Sequence, residues 1–169
     1  LLDEIERLNL KTTTLDKTTS GLKICLTFDD GNISDYELVF PELIKRKMKA
    51  VFFIVPGYIG KSGYLTWDKV ITMHKAGMEI GSHTLNHPVD LKKLSKKDII
   101  TELSESKKII ESKLNINIKS FSFPNGNYRI NMISLAKKLG YKFICTSKPG
   151  IVKNKFHLVF RNSFYNNFK

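Results

Sequence analysis

Residues 50–56 read AVFFIVP, the longest uninterrupted apolar run in a chain of 169 residues. That is the length of a strand and far short of the ~18 to 20 apolar residues a membrane-crossing helix needs. Similar runs rich in Val, Ile and Phe occupy 22–28, 79–82, 120–123, 141–146 and 157–161, and segments of helical period fill the gaps between them. Ser34 with Glu37, and Ser95 with Asp98, have the spacing of a helix N-cap and its third-position carboxylate. Pro41 predicts a kink or restart in the first of these helices. After Ser95 the apolar residues Ile99, Leu103, Ile110 and Leu114 recur at helical spacing while Lys and Glu take the other positions. Gly77 and Gly140 each stand directly before a new apolar run, where a left-handed residue ends a helix. Alternation of strand and helix predicts a mainly parallel sheet of six strands, open or curled into a barrel. The first twenty residues stand apart: LDEIERLNL suits a short helix and TTTLDKTTSG a polar connector, so the expected division is 1–20 and 21–169.

With 41% hydrophobic and 26% charged residues, the chain has material for one core, and its composition excludes intrinsic disorder. The 28 Lys and Arg against 16 Asp and Glu leave a charge of +12, which suits an anionic partner, yet only four of these cations are arginine. Arg is the residue that forks onto phosphates and base edges, so no nucleic-acid partner is expected. The chain opens on Leu1 rather than Met, so any signal peptide or membrane anchor would precede it. Cys25 and Cys145 sit in apolar runs without zinc-type spacing. Two buried thiols are expected, with a disulfide open only if their strands are neighbours. Oligomeric state is left open.

In parallel sheets with intervening helices, chemistry gathers at the C-terminal ends of the strands. Those ends offer Asp29-Asp30-Gly31, then His83 and His87, then Pro124-Asn125-Gly126. Asp-Asp-Gly alone is a common turn. The stretch from His83 to His87 changes its weight, because two imidazoles four residues apart aim at one point if the loop takes a single helical turn before Pro88 stops it. Two imidazoles and one carboxylate make a mixed nitrogen and oxygen triad with coordination positions open for water and substrate, the pattern of a catalytic metal. Asp30 would be the third ligand and Asp29 a free base. A first-row divalent ion suits the set, zinc first, with cobalt, nickel and manganese as further candidates.

These residues resemble the polysaccharide deacetylases of carbohydrate esterase family 4, the NodB-homology domain. TFDDG at 27–31 resembles the family's first motif, and GSHTLNHP at 81–88 its histidine motif. KAVFFIVPGYIG, YLTWDKV and KAGMEIGSH resemble the connecting sequence, so the likeness runs from about 22 to 161. The resemblance implies an α/β fold, a distorted, incomplete parallel (β/α) barrel of six to seven strands. It implies that Asp29 is the catalytic base, that Asp30, His83 and His87 hold the metal, and that Pro124–Gly126 is the third motif. There the backbone N–H of Asn125 would hold the oxyanion, with Pro124 beside the substrate. Tyr128, just after this motif, is the ring best set to meet a glycan, ahead of Tyr58, Tyr64 and Trp67, the last of which helix packing explains as well. The activity implied is removal of acetyl groups from N-acetylglucosamine units of an exopolysaccharide or cell-wall glycan by a metal-activated water, by an enzyme secreted or associated with the cell envelope.

The chain departs from the family pattern in two places. Many members carry an arginine two residues before the proline of the third motif; here that residue is Ser122, as in the branch that deacetylates exported poly-N-acetylglucosamine. No late histidine motif follows, and His157, in KFHLVFR, reads as a plain strand histidine. Either residues are missing at the C-terminal end or the acid is different. Arg161 is then the candidate accessory partner for Asp29 in place of the absent arginine. His74, on the helix before Gly77, reads as a surface or packing residue. Two further readings stay open: a glycan-binding pseudoenzyme that keeps barrel and metal without turnover, and an O-acetyl xylan esterase.

Overall fold

The structure, a computed structural model, describes residues 1–17, 23–150 and 158–163. Six strands lie in one sheet in chain order: β1 (Leu26–Asp30), β2 (Ala50–Ile54), β3 (Glu79–Ser82), β4 (Ser120–Ser122), β5 (Phe143–Cys145) and β6 (Leu158–Val159). Every neighbouring pair is parallel. A short helix, α1 (Leu2–Arg7), precedes the sheet, and α2 (Phe40–Lys45), α3 (Trp67–Lys75), α4 (Lys96–Leu114) and α5 (Ile130–Lys138) occupy the first four crossovers.

The strand anticipated at 50–55 is the pivot. All five residues of β2 are buried, and the period-two alternation of a strand sends them to opposite faces. Ala50, Phe52 and Ile54 join the large core with residues of the helices, including Leu43, Val70, Met73, Leu103 and Ile133. Val51 and Phe53 face the other way, into a small cluster with Leu15, Cys145 of β5 and Val159 of β6. Contact between β2 and strands three and four places away requires the sheet to curl, so the fold is a half-barrel with its helices outside. Gly81 makes room inside: a Cβ there would fall 2.5 Å from the Phe53 ring. Among the described residues β1 and β6 do not pair, and a seam is left between the sheet's two edges.

The connections follow the sequence in most places. Ser95 caps α4, accepting the Asp98 N–H at 3.2 Å and donating to its carboxylate at 2.6 Å. Gly77, with φ of 87°, takes the left-handed conformation that ends α3. Ser34 does not cap: it already has helical backbone and makes no side-chain bond to the turn after it. The chain instead runs through a wide π-helical turn, Asp35–Val39, that brings Pro41 into the first turn of α2, where its missing N–H costs nothing. β1 begins later than expected and carries both aspartates in register, Asp29 beside Phe53 and Asp30 beside Ile54, because the ladder with β2 continues past the apolar residues. His157 lies outside the described residues. The N-terminal segment packs on the rest: Ile5 is in the large core, and Thr12 bridges Ile24. Cys25, just before β1, and Cys145 are free thiols, although Cys25 packs against the cluster that holds Cys145, and burial pushes Cys25 up to about 12 and Cys145 upward as well.

Candidate active site

The C-terminal ends of β1, β3, β4 and β6 meet around one point. β1 delivers Asp29 and Asp30, and the positive φ of Asp30 (78°) swings its carboxylate away from the direction strand alternation would give it. His83 follows β3 directly and is 2% exposed. Burial favours the neutral imidazole and pushes its pKa down. Its Nδ1–H donates to the Ser122 carbonyl at 2.8 Å, which fixes the tautomer and leaves the Nε2 lone pair facing the site. Nε2 of His83 and Nε2 of His87 each lie 3.4 Å from the same Asp30 oxygen, Oδ1.

The loop from 83 to 87 reaches this geometry without the expected helical turn. Thr84 (φ 66°) and His87 (φ 51°) take left-handed backbone, and the hydroxyl of Thr84 accepts the His87 N–H at 3.1 Å. Two left-handed residues fold the loop back more sharply than a helical turn would, and the imidazoles converge with their centroids 5.0 Å apart. One donor atom from each of Asp30, His83 and His87 lies within 4.8 Å of the others. Two imidazole nitrogens, one carboxylate oxygen and a His83 tautomer set from behind fit a divalent first-row ion.

Asp29 stays outside that cluster, with Oδ2 3.9 Å from His83 Nε2. Its partner is Arg161, just beyond β6, whose guanidinium forks onto the carboxylate at 2.7 and 2.9 Å across the seam. The same guanidinium donates to the Ser122 hydroxyl at 2.9 Å and to the Thr146 carbonyl at 3.2 Å, so it is held from several sides. Burial raises the Asp29 carboxyl, but Arg161 first, then the His83 charge and the Ser122 hydroxyl, outweigh it and hold the group below its ordinary range. Asp35, on the π-helical turn, belongs to no motif of the sequence. It is buried, and burial together with the charges of Asp30 and Asp29 pushes its carboxyl up to about 7.

The third loop follows β4. Pro124 is buried, and Asn125 (φ 54°) is exposed in a tight turn closed by Gly126 N–H to the Phe123 carbonyl at 3.1 Å. The Asn125 side chain reaches the Val89 carbonyl at 3.5 Å, joining this loop to the one that carries His87. Tyr128 stacks on Phe123 with centroids 4.7 Å apart and has Lys148 Nζ 5.9 Å from its ring centroid. The ring nearer the metal-type cluster is Tyr58, 6.1 Å from His87 and 4.6 Å from Tyr64. Trp67 packs against the large core, and His74 is half-buried on α3, away from this cluster.

A curled parallel sheet with a carboxylate and imidazole cluster at its strand ends has the residues to hold a divalent ion where such folds place their chemistry. A family model described as polysaccharide deacetylase matches residues 16–144. The chain belongs to the polysaccharide deacetylase family. YxkH of Bacillus subtilis (strain 168) is 33% identical over 137 residues, covering 81% of this chain and 49% of YxkH. The poly-beta-1,6-N-acetyl-D-glucosamine N-deacetylase of Staphylococcus aureus (strain MSSA476) is 28% identical over 133 residues, 71% of this chain and 46% of that protein. The chain therefore spans about half the length of these two relatives. Among solved structures, the Streptococcus pyogenes deacetylase PplD in complex with acetate superimposes with a TM-score of 0.90 at 28% identity, covering 98% of this chain and 79% of PplD.

Proposed function

We propose that the chain is a metal-dependent hydrolase that removes acetyl groups from N-acetylglucosamine units of a polysaccharide, with zinc the first candidate for the ion. The observation that carries this reading is the convergence of Asp30, His83 and His87 beside a separate carboxylate, Asp29, that Arg161 holds ionised. The likeness to the staphylococcal N-deacetylase, together with serine rather than arginine at 122, supports N-acetylglucosamine polymers as the substrate class. A substrate of that kind lies outside the cell, which supports a secreted or envelope-associated protein. In this reading residues 21–169 are the catalytic unit and 1–20 its helix and connector.

An ion bound by the triad would polarise the acetyl carbonyl and make water a stronger nucleophile near neutral pH. Asp29 accepts the proton that the attacking water gives up, Arg161 with Ser122 keeps its carboxylate aimed, and the proton passes to the sugar amine as the carbon–nitrogen bond breaks and acetate leaves. The backbone N–H of Asn125 donates to the carbonyl oxygen as it gains charge; one such donor is worth about 10²–10³ in rate. Pro124 stiffens the loop that presents this N–H, and Tyr128 offers its hydroxyl and ring edge to the glycan.

The test is release of acetate, with matching mass loss, from acetylated glucosamine oligomers incubated with zinc-loaded protein. Release is expected from the parent chain and not from Asp29→Asn, which should still bind zinc. His83→Ala and His87→Ala should fold and lose the metal. A folded, zinc-loaded parent that releases no acetate yet retains oligomers would instead establish a glycan-binding protein.

A further inference from the structure

We infer that Glu102 of α4 is a positioning residue that holds the His87 loop in its metal-binding shape before any ion arrives; the inference rests on Asp30, His83 and His87 being a metal site. The buried face of α4 is built from Ile99, Leu103 and Ile110, and two polar residues, Glu102 and Ser106, interrupt it. Glu102 is 8% exposed. A carboxylate on the packing face of a helix is costly unless its lone pairs are filled. Here the His87 loop fills them: Oε2 accepts the N–H groups of Leu85 and Asn86, both at 2.9 Å, and Oε1 accepts the Asn86 side-chain amide at 2.9 Å.

Those two amides lie between Thr84 and His87, the two left-handed residues of the loop. A non-glycine residue in that conformation is strained and persists only where its surroundings over-determine it. Glu102 supplies that determination from the helix side. From the opposite side the Gly57 N–H donates to the Leu85 carbonyl at 2.8 Å, so close that a Cβ on Gly57 would stand 2.7 Å from both that oxygen and Asn86 Oδ1. A loop pinned on both sides cannot relax without moving the His87 ring. Groups that orient a ligand without touching the ion typically govern about 10–100-fold in metal affinity.

Ser106 is the internal control. Its hydroxyl shares a 2.7 Å hydrogen bond with Ser82, joining the same helix to the end of β3, yet it holds no part of the loop. Zinc titration of metal-free protein should give Glu102→Ala an affinity about 10–100-fold below the parent. Glu102→Gln, whose amide oxygen still accepts both backbone N–H groups while Asn86 turns its own amide over, should stay within about threefold. Ser106→Ala should lower Tm and leave zinc affinity unchanged. If Glu102→Ala behaves like Ser106→Ala, less stable with the same affinity, Glu102 is merely structural and the inference is overturned. Should Glu102→Ala not fold, amide exchange on the unaltered metal-free chain decides: the Leu85 and Asn86 N–H groups should be protected without zinc. Free exchange that only zinc suppresses would mean that the ion organises the loop and Glu102 does not. A parent chain that binds no zinc would overturn the metal-site reading itself, a different result from a parent that binds it as well as Glu102→Ala does.

Discussion

Asp29 is under two opposed influences, and their balance sets what it can do. Burial alone would keep the carboxyl protonated to higher pH, while the fork from Arg161 and the Ser122 hydroxyl pull it the other way and win. Arg161→Ala removes the larger opposing influence, so the acid limb of the pH profile of acetate release should move to higher pH. Turnover at neutral pH should fall by about 10², the usual consequence of a reacting group set about 1 Å out of place. Arg161→Lys should restore part of the charge and none of the fork, and zinc affinity should be unchanged in both, because Arg161 touches no residue of the triad among the described residues. An acid limb that does not move would remove Arg161 from the chemistry. Asp29, Asp30, His83 and His87 were legible only as a combination, because an Asp-Asp-Gly turn takes on weight as a site when two imidazoles four residues apart follow another strand. Arg161 was legible only by its position at a strand end, since nothing in the sequence shows that two strands without a shared ladder bring their ends together. Glu102 was not legible, because a glutamate in a Lys- and Glu-rich helix reads as solvated.

At the level of single elements, β3 carries a half-buried carboxylate, Glu79, on the inner face of the half-barrel at the end opposite the site. It accepts from the Ser120 hydroxyl and, at 3.1 Å, from the Asp16 N–H, yet burial dominates and pushes it up to about 7. Between about 4.5, its ordinary value, and about 7 the folded chain keeps a proton that the unfolded chain has released. The contribution of Glu79 to stability therefore falls as pH rises through that window and is flat above it. Glu79→Gln should be more stable than the parent at pH 8, by about 1–3 kcal/mol in chemical denaturation, with the two curves converging below about pH 4.5. Equal stabilities at pH 8 would show that the carboxylate is solvated there. Elements whose signal is local were readable: the cap at Ser95 and the stop at Gly77 depend only on residues within a few positions. The wide turn after Ser34 and the left-handed fold at Thr84 and His87 were not, because each is imposed by packing partners far along the chain.

For the molecule as a whole, strand number and direction could be read from the alternation of runs, and the choice between an open and a curled sheet could not, because it appears only when Phe53 meets Cys145 and Val159. The +12 charge gains a meaning on this scale. Under the proposed activity the substrate, an acetylated glucosamine polymer, is neutral and its deacetylated product is a polycation, so a basic protein repels the product and not the substrate. Salt screens that repulsion, the Debye length shrinking from about 10 Å at 0.1 M to about 3 Å at 1 M. Glucosamine oligomers should therefore inhibit more strongly at high salt, with an inhibition constant several-fold lower at about 0.5 M than at about 0.05 M. Insensitivity to salt would reduce the charge to an excess of lysine without a role.

The bridge from Arg161 to Asp29 also fixes when the molecule becomes complete. Its two ends are 132 positions apart in the chain. At about 5–20 residues per second, a ribosome adds Arg161 roughly 7–26 s after Asp29 has been made. During that interval the two adjacent aspartates have no guanidinium to offset them, and the nascent chain carries an unneutralised acidic pair at the centre of its future barrel. The countercharge arrives with β6, so the electrical completion of the site and the docking of its far edge are one event in the life of the chain.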